Sequence, residues 1–72
     1  MIICTLNMEM ARRRMNIEKL SKASGLARST ISMLYNDKAK RIDFDTMDKL
    51  CKALDTTPGK LFVWMEEPLG NE

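Results

Sequence analysis

Histidine is absent from this 72-residue sequence, and cysteine, proline and aromatic residues are scarce. With two cysteines and no histidine, the chain lacks the ligands of a structural zinc site and the usual base of acid–base catalysis. Two cysteines are also too few for the several disulfides of a small secreted domain. The sequence therefore argues against a disulfide scaffold, a metal site or an enzyme, and no cofactor is expected.

Long apolar runs are also missing. The longest covers residues 61–65, far below the roughly 18–20 residues of a membrane span. The first four residues lack the basic lead and the long apolar segment of a secretory signal. We therefore expect a cytoplasmic protein without a membrane partner, in which both thiols stay reduced.

What the chain does contain is typical of one small globular domain. Hydrophobic residues make up 44% and charged residues 31% of the sequence. A chain of this size can enclose one core, but it has no room for a deep cleft between two domains. We expect residues 1–72 to form a single domain, with a frayed tail over residues 67–72.

The charges divide the chain into a basic and an acidic part. Residues 1–41 carry nine lysines and arginines against three acids, a net charge of +6, whereas residues 42–72 have a net charge of −4. Such a division indicates a side that faces a polyanion, although an ordinary solvated surface can drift in sign in the same way. Charge alone leaves both interpretations open.

Apolar spacing and capping residues predict five short helices. They cover about residues 6–14, 17–24, 28–35, 44–54 and 58–64. Asn16 is placed to cap the second helix and Asp43 to cap the fourth. Gly25 is placed to end the second helix in a left-handed turn. The fourth helix carries an apolar stripe made of Phe44, Met47, Leu50, Cys51 and Leu54. The β-prone residues 2–5 favour a short N-terminal strand.

The second and third helices are separated only by residues 25–27. Helices joined so briefly cross steeply, which is the geometry of a helix-turn-helix, here over about residues 17–36. The small side chain of Ser21 allows close approach, and Leu26 and Ile31 supply apolar contacts at the crossing. The outward side chains of the third helix are then Arg28, Ser29, Ser32 and Met33.

Three segments carry a family resemblance. They are Gly-Leu-Ala-Arg-Ser-Thr-Ile-Ser at residues 25–32, Asp-Lys-Leu-Cys-Lys-Ala-Leu at 48–54 and Thr-Pro-Gly-Lys-Leu-Phe at 57–62. In these segments the chain resembles the phage-repressor-like helix-turn-helix proteins of the Xre/Cro class, over about residues 6–64. The resemblance implies an all-α, compact five-helix domain like that of the lambda repressor. It also implies a sequence-specific transcriptional regulator that binds a double-stranded DNA operator with its third helix in the major groove.

The resemblance further implies which residues contact DNA. Base contacts fall at Arg28, Ser29 and Met33, with Ala27 and Ser32 beside them. Phosphate contacts fall at Asn16, Ile17, Asn36, Lys38, Lys40 and Arg41. Arg28 has the geometry for a bidentate contact with guanine, whereas Met33 offers only apolar contact, for example with a thymine methyl group.

Some positions depart from the family pattern. Ile17 replaces a frequent glutamine, which removes one side-chain phosphate contact but leaves the backbone N–H. Ser21 and Ser24 stand where an alanine and an apolar residue are usual. Asp37 stands where glycine is usual, and aspartate tolerates a left-handed backbone better than most residues.

Members of this family usually bind paired half-sites as two-fold dimers. We therefore expect a homodimer through the C-terminal apolar segment, with Phe62, Trp64 and Met65 at the interface. The alternative function is a protein-interaction module, such as an antitoxin-like or anti-regulator adaptor. The salt dependence of duplex binding separates the two functions. The sequence reveals no small-molecule ligand, and it leaves the operator and the choice between repression and activation open.

Overall fold

The computed structural model describes residues 1–66, which form five helices and two short strands. In chain order these are β1 (Ile2–Cys4), α1 (Leu6–Arg12), α2 (Ile17–Ser24), α3 (Arg28–Tyr35), α4 (Phe44–Leu54), α5 (Pro58–Leu61) and β2 (Phe62–Trp64). The five-helix fold and the N-terminal strand are confirmed. The predicted frayed tail, residues 67–72, lies outside the described residues. Over residues 1–66, no helix combines the length and apolar character needed to cross a membrane.

Every helix contributes to one apolar core. Its members, all at most 4% exposed, are Leu6, Met10, Leu20, Ile31, Leu34, Leu50, Leu54 and Leu61. Because α4 reaches this core through Leu50 and Leu54, its first turn lies beyond the core. Phe44, in that first turn, is 87% exposed, so the prediction that it faces inward is wrong.

Three helices end in a left-handed residue that is not glycine. Arg14, Asp37 and Asp55 have φ values of 55°, 56° and 52° after α1, α3 and α4. In each case the next residue donates its backbone N–H to the carbonyl five residues back, at 2.8–3.0 Å. This Schellman arrangement satisfies a carbonyl of the last turn and reverses the chain. Helix α1 therefore ends at Arg12 rather than at Arg14, where the sequence predicted its end.

The segment after α5 is a strand, and the helix predicted over residues 58–64 is wrong beyond Leu61. Strand β2 pairs with β1 in antiparallel register, with Ile2 opposite Trp64, Ile3 opposite Val63 and Cys4 opposite Phe62. Aromatic and β-branched residues favour this extended backbone, and β1 supplies the hydrogen-bonding partner. Thr5 strengthens the closure, since its N–H donates to the Leu61 carbonyl at 2.7 Å.

Two arginines at the end of α1, Arg12 and Arg13, form ion pairs with a buried glutamate. Glu9 is only 5% exposed, and its carboxylate lies 2.7 Å from the guanidinium of Arg13 and 3.6 Å from that of Arg12. Arg13 also donates to the carbonyl of Asp55, at 3.5 Å. A buried carboxylate is tolerated when it is paired in this way. The cluster therefore ties α1 to the end of α4.

Replacing Gly25 with alanine tests the left-handed step after α2. Gly25 has φ of 78°, and an added Cβ would meet no atom within 4 Å, so the cost lies in the backbone alone. We expect Gly25→Ala to lower the free energy of unfolding by about 1–2 kcal/mol.

Gly59→Ala is the matched control for this measurement. Gly59 lies in α5 with equally open surroundings and no positive φ, so alanine there should be neutral or slightly stabilising. Chemical denaturation of both variants measures the difference, and equal destabilisation would contradict the backbone explanation.

Candidate nucleic-acid interface

Two serine hydroxyls hold the joint between α2 and α3. Ser21 Oγ donates to the carbonyl of Leu26 at 2.6 Å, and the N–H of Leu26 donates to Ser24 Oγ at 3.1 Å. The side chain of Leu26 packs against the core, so both polar groups of its backbone need partners inside the protein. The two serines that depart from the resembled family pattern therefore stabilise the turn that orients α3.

The start of α2 is capped by Asn16. Asn16 Oδ1 accepts the N–H of Lys19 at 2.8 Å, which confirms Asn16 as the cap. The first N–H groups of a helix have no partner within it, and here they include the N–H of Ile17. The side chain of Ile17 is half-buried against the core, so only its backbone is free for a phosphate.

Helix α3 turns one face to the core and the other to solvent. Ile31 and Leu34 are buried on the inner face. Of the predicted base contacts, Ala27, Arg28, Ser29 and Met33 are exposed and Ser32 is half-buried. The structure thus brings these five residues together on one surface, and their contact with bases stays a prediction.

Asn36 is placed over the last turn of α3. Its Nδ2 donates to the carbonyl of Ser32 at 2.8 Å and lies 3.4 Å from Ser32 Oγ. The side chain of this predicted phosphate contact therefore folds back onto α3 and stands next to a predicted base contact.

The loop between α3 and α4 carries the other predicted phosphate contacts. Lys38, Lys40 and Arg41 are exposed, whereas Ala39 and Ile42 are half-buried and pack against the core. This alternation anchors the loop and turns its cations outward. A groove of about 600 Å³ separates the loop from α3 and the first turn of α4, and a cavity of about 290 Å³ lies between the loop and the sheet.

Two aspartates border this cationic loop. Asp37 Oδ1 accepts the backbone N–H of Cys4 at 3.4 Å, which links the start of the loop to β1. Asp43 Oδ1 accepts the N–H of Thr46 at 2.9 Å, as the capping prediction required. Hydrogen bonds from the side chain and backbone of Thr46 hold the pKa of Asp43 below its ordinary value. The end of the loop therefore carries a negative charge at neutral pH.

Sequence reasoning missed a contact of Arg28. Its guanidinium lies 3.6 Å from the carboxylate of Glu18, which is also 3.6 Å from the ammonium group of Lys22. The Lys22 contact has the helical spacing of four residues, but the Arg28 contact joins two helices and gives no periodic signal. The contact between Arg28 and Glu18 could have been predicted only from the angle at which α2 and α3 cross.

Both cysteines are half-buried and free. Burial raises the pKa of the Cys4 and Cys51 thiols, so both stay protonated at neutral pH and are weak nucleophiles. Each packs against the core, which for Cys51 agrees with its place on the apolar stripe of α4.

The chain is similar to known proteins over nearly its whole length. Residues 5–67 match the family model of the Cro/C1-type HTH DNA-binding domain, a span that contains all five helices. The chain is also 33% identical over 66 residues to the uncharacterized HTH-type transcriptional regulator YozG of Bacillus subtilis (strain 168). That alignment covers 92% of this chain and 79% of the Bacillus protein.

Replacing Asp43 with asparagine tests the charge of the α4 cap. Because the pKa of Asp43 is lower in the folded protein, its stabilisation is present above the ordinary aspartate pKa of about 3.9 and is lost as the pH falls through the folded-state value. Asparagine keeps a capping oxygen that does not titrate. We expect the wild-type protein to lose more free energy of unfolding than Asp43→Asn between about pH 5 and 2.

Denaturation at several pH values measures this difference. Asp45→Asn, which removes a neighbouring carboxylate that pairs with Lys49 at 3.1 Å, is the control for the loss of a negative charge at this end of α4. Parallel curves for wild type and Asp43→Asn would contradict the capping account.

Proposed function

The chain belongs to the family of Cro/C1-type helix-turn-helix DNA-binding domains, and on this premise we propose that it is a transcriptional regulator that binds specific sequences of double-stranded DNA. The observation that carries the proposal is the exposed face of α3 beside an exposed cationic loop. An α-helix fits the major groove, and flanking cations reach the phosphates. The similarity to a protein named as a transcriptional regulator supports the same function.

Base recognition rests on the outer face of α3. Arg28 begins the helix and is exposed, so its guanidinium can reach O6 and N7 of a guanine. Met33, five residues further along α3 and 51% exposed, contacts thymine methyl groups. Ser29, between them in the sequence, adds a hydroxyl that can donate to or accept from either base type. These side chains specify the operator, with Ala27 and Ser32 at the edge of the contact.

Phosphate contacts hold α3 in register from two sides. On one side are Asn16 and the backbone N–H of Ile17, at the positive end of α2. On the other side are Asn36, Lys38, Lys40 and Arg41, in and before the loop. The side chains of Ala39 and Ile42 pack against the core and keep Lys38, Lys40 and Arg41 pointing away from it. Contacts of this kind supply affinity for any sequence.

Two copies of the chain are proposed to bind one operator through the sheet. Residues opposite each other in antiparallel strands share a face, so Trp64 and Ile2 lie on the same face as Phe62 and Cys4. Cys4 and Phe62 pack against the core, whereas Ile2 and Trp64 are 61% and 69% exposed beyond it. We call the exposed side chains of Ile2 and Trp64 the apolar overhang. A second copy would cover this overhang together with Met65, while Phe62 supports the overhang from the core side. Two recognition helices would then read enough base pairs for a specific site.

A protein-interaction module, such as an antitoxin-like or anti-regulator adaptor, is the second candidate. The observation that favours it is Phe44, an aromatic side chain 87% exposed at the start of α4. Such a module would bind duplex DNA weakly, if at all. It would lack the strong salt dependence that phosphate contacts produce.

Salt dependence and two substitutions test the assignment of DNA contacts. We expect log affinity for a selected duplex to fall linearly with log salt, by roughly 0.9 for each phosphate contacted. Lys38→Ala should weaken binding to all sequences alike and reduce that slope by about one. Arg28→Ala should instead reduce discrimination between selected and random duplexes by about 1–3 kcal/mol.

Lys52→Ala is the matched control for a lost positive charge. Lys52 lies in the last turn of α4, where it pairs with Asp48 at 3.8 Å, and its removal should leave the slope unchanged. A flat affinity from low to moderate salt would rule out the proposed function. Equal losses on both duplexes for Arg28→Ala and Lys38→Ala would overturn the separate roles.

The assembly is tested by stoichiometry on the selected duplex. We expect two wild-type chains per operator, and a shift toward one chain for Trp64→Ala, because the tryptophan supplies much of the exposed apolar area of the sheet. Analytical ultracentrifugation of the complex measures the ratio. Phe44→Ala removes another exposed aromatic side chain as the control, and a dimer lost only in that variant would move the interface to α4.

A further inference from the structure

Glu18 connects the start of α2 with the start of α3. Its Oε2 lies 3.6 Å from Nη2 of Arg28 and 3.6 Å from Nζ of Lys22. Among the ion pairs within residues 1–66, only the pair with Arg28 joins two different helices. This contact therefore links α2 to the side chain of the first residue of the proposed recognition helix.

Folding stability does not account for this contact. The side chains of Glu18 and Arg28 are 54% and 66% exposed, and their separation exceeds that of a direct hydrogen bond. Exposed ion pairs of this kind contribute little to stability. The contact therefore matters mainly for where the guanidinium group of Arg28 lies.

Glu18 lies in the first turn of α2, where an acid stabilises the helix but an unneutralised carboxylate is unfavourable for DNA binding. It follows Asn16 and Ile17, the proposed phosphate contacts, so a free carboxylate here would repel DNA. The two cations that neutralise it are Lys22 and Arg28. An acid at this end of the surface is compatible with DNA binding because these cations neutralise it. The acid can in turn orient one of them.

Arg28 is the cation for which orientation matters. A guanidinium group holds five donors in one plane, and a bidentate contact with guanine uses two of them in a defined direction. A carboxylate on one edge restrains the long side chain before DNA binds and leaves the other donors free, which reduces the entropy lost on binding. The ammonium group of Lys22 has no plane to orient.

We propose that Glu18 is a positioning residue that holds the Arg28 guanidinium for guanine and thereby sets the base preference of this protein. The proposal rests on the proposed DNA-binding function. Glu18 itself contacts no base in this account. Its effect on specificity passes entirely through Arg28.

The test compares two duplexes that differ at one base pair. The first is the selected duplex. In the second, an A·T pair stands in place of the G·C pair for which the Arg28→Ala variant has lost its preference. The specificity ratio is the affinity for the first duplex divided by that for the second. We expect Glu18→Gln to lower this ratio roughly three- to tenfold, which lies in the lower part of the range of coupling between contacting residues. Its affinity for the A·T duplex should be unchanged or higher, because an acid near the phosphates is gone.

Two further variants separate positioning from other effects. Lys22→Gln removes the other partner of Glu18 and should lower both affinities while the ratio stays constant. In an Arg28→Ala background, Glu18→Gln should produce no further fall in the ratio. A ratio unchanged in Glu18→Gln, or lowered equally in both backgrounds, would overturn the proposal.

Failure of the proposed function looks different from failure of this inference. If wild-type protein shows no salt-dependent duplex binding, the DNA-binding function itself fails. If Arg28→Ala loses its guanine preference but Glu18→Gln keeps it, only the positioning role of Glu18 is wrong. Thermal unfolding of each variant verifies that the ratios are measured on folded protein.

Discussion

The orientation of α3 depends on the backbone of Leu26, whose carbonyl and N–H are both bound by serine hydroxyls of α2. Because the side chain of Leu26 packs against the core, an unpaired polar group at this turn would be costly. Ser21 and Ser24 remove that cost, and Gly25 supplies the left-handed step between the helices. The direction in which α3 presents its outer face is thus set by residues that precede it in the chain.

Features of the fold that depend on neighbouring residues could be predicted from the sequence. The caps formed by Asn16 and Asp43 each depend on an N–H three residues away, and the turn at Gly25 depends on one backbone angle. The end of α5 could not be predicted in this way. Residues 62–64 have strand propensity, but a strand also needs a partner, and nothing local shows that residues 2–4 lie beside them. Phe44 fits the period of α4, but periodicity does not say where a helix leaves the core.

The residues of the candidate site likewise include some that the local sequence predicts and some that depend on contacts between distant segments. The outward position of Arg28 and Met33 followed from the helical period of α3 and from the inward positions of Ile31 and Leu34. The cations of the following loop, Lys38, Lys40 and Arg41, were predicted from the family resemblance alone. The half-buried Ala39 and Ile42 beside them show why these cations point outward. The pairing of Arg28 with Glu18 depends on the angle between two helices, a quantity that no single segment encodes.

The pairing of β1 with β2 also bears on the order of folding. It joins segments roughly sixty residues apart, so closing that loop costs more chain entropy than the short turns between helices. Contacts between α2 and α3 join segments close together in the sequence, and such local contacts form faster than the distant pairing of β1 with β2. The overhang of Ile2 and Trp64 is therefore complete only at the end of folding. A chain that has formed only its local contacts therefore lacks the surface on which two copies are proposed to meet.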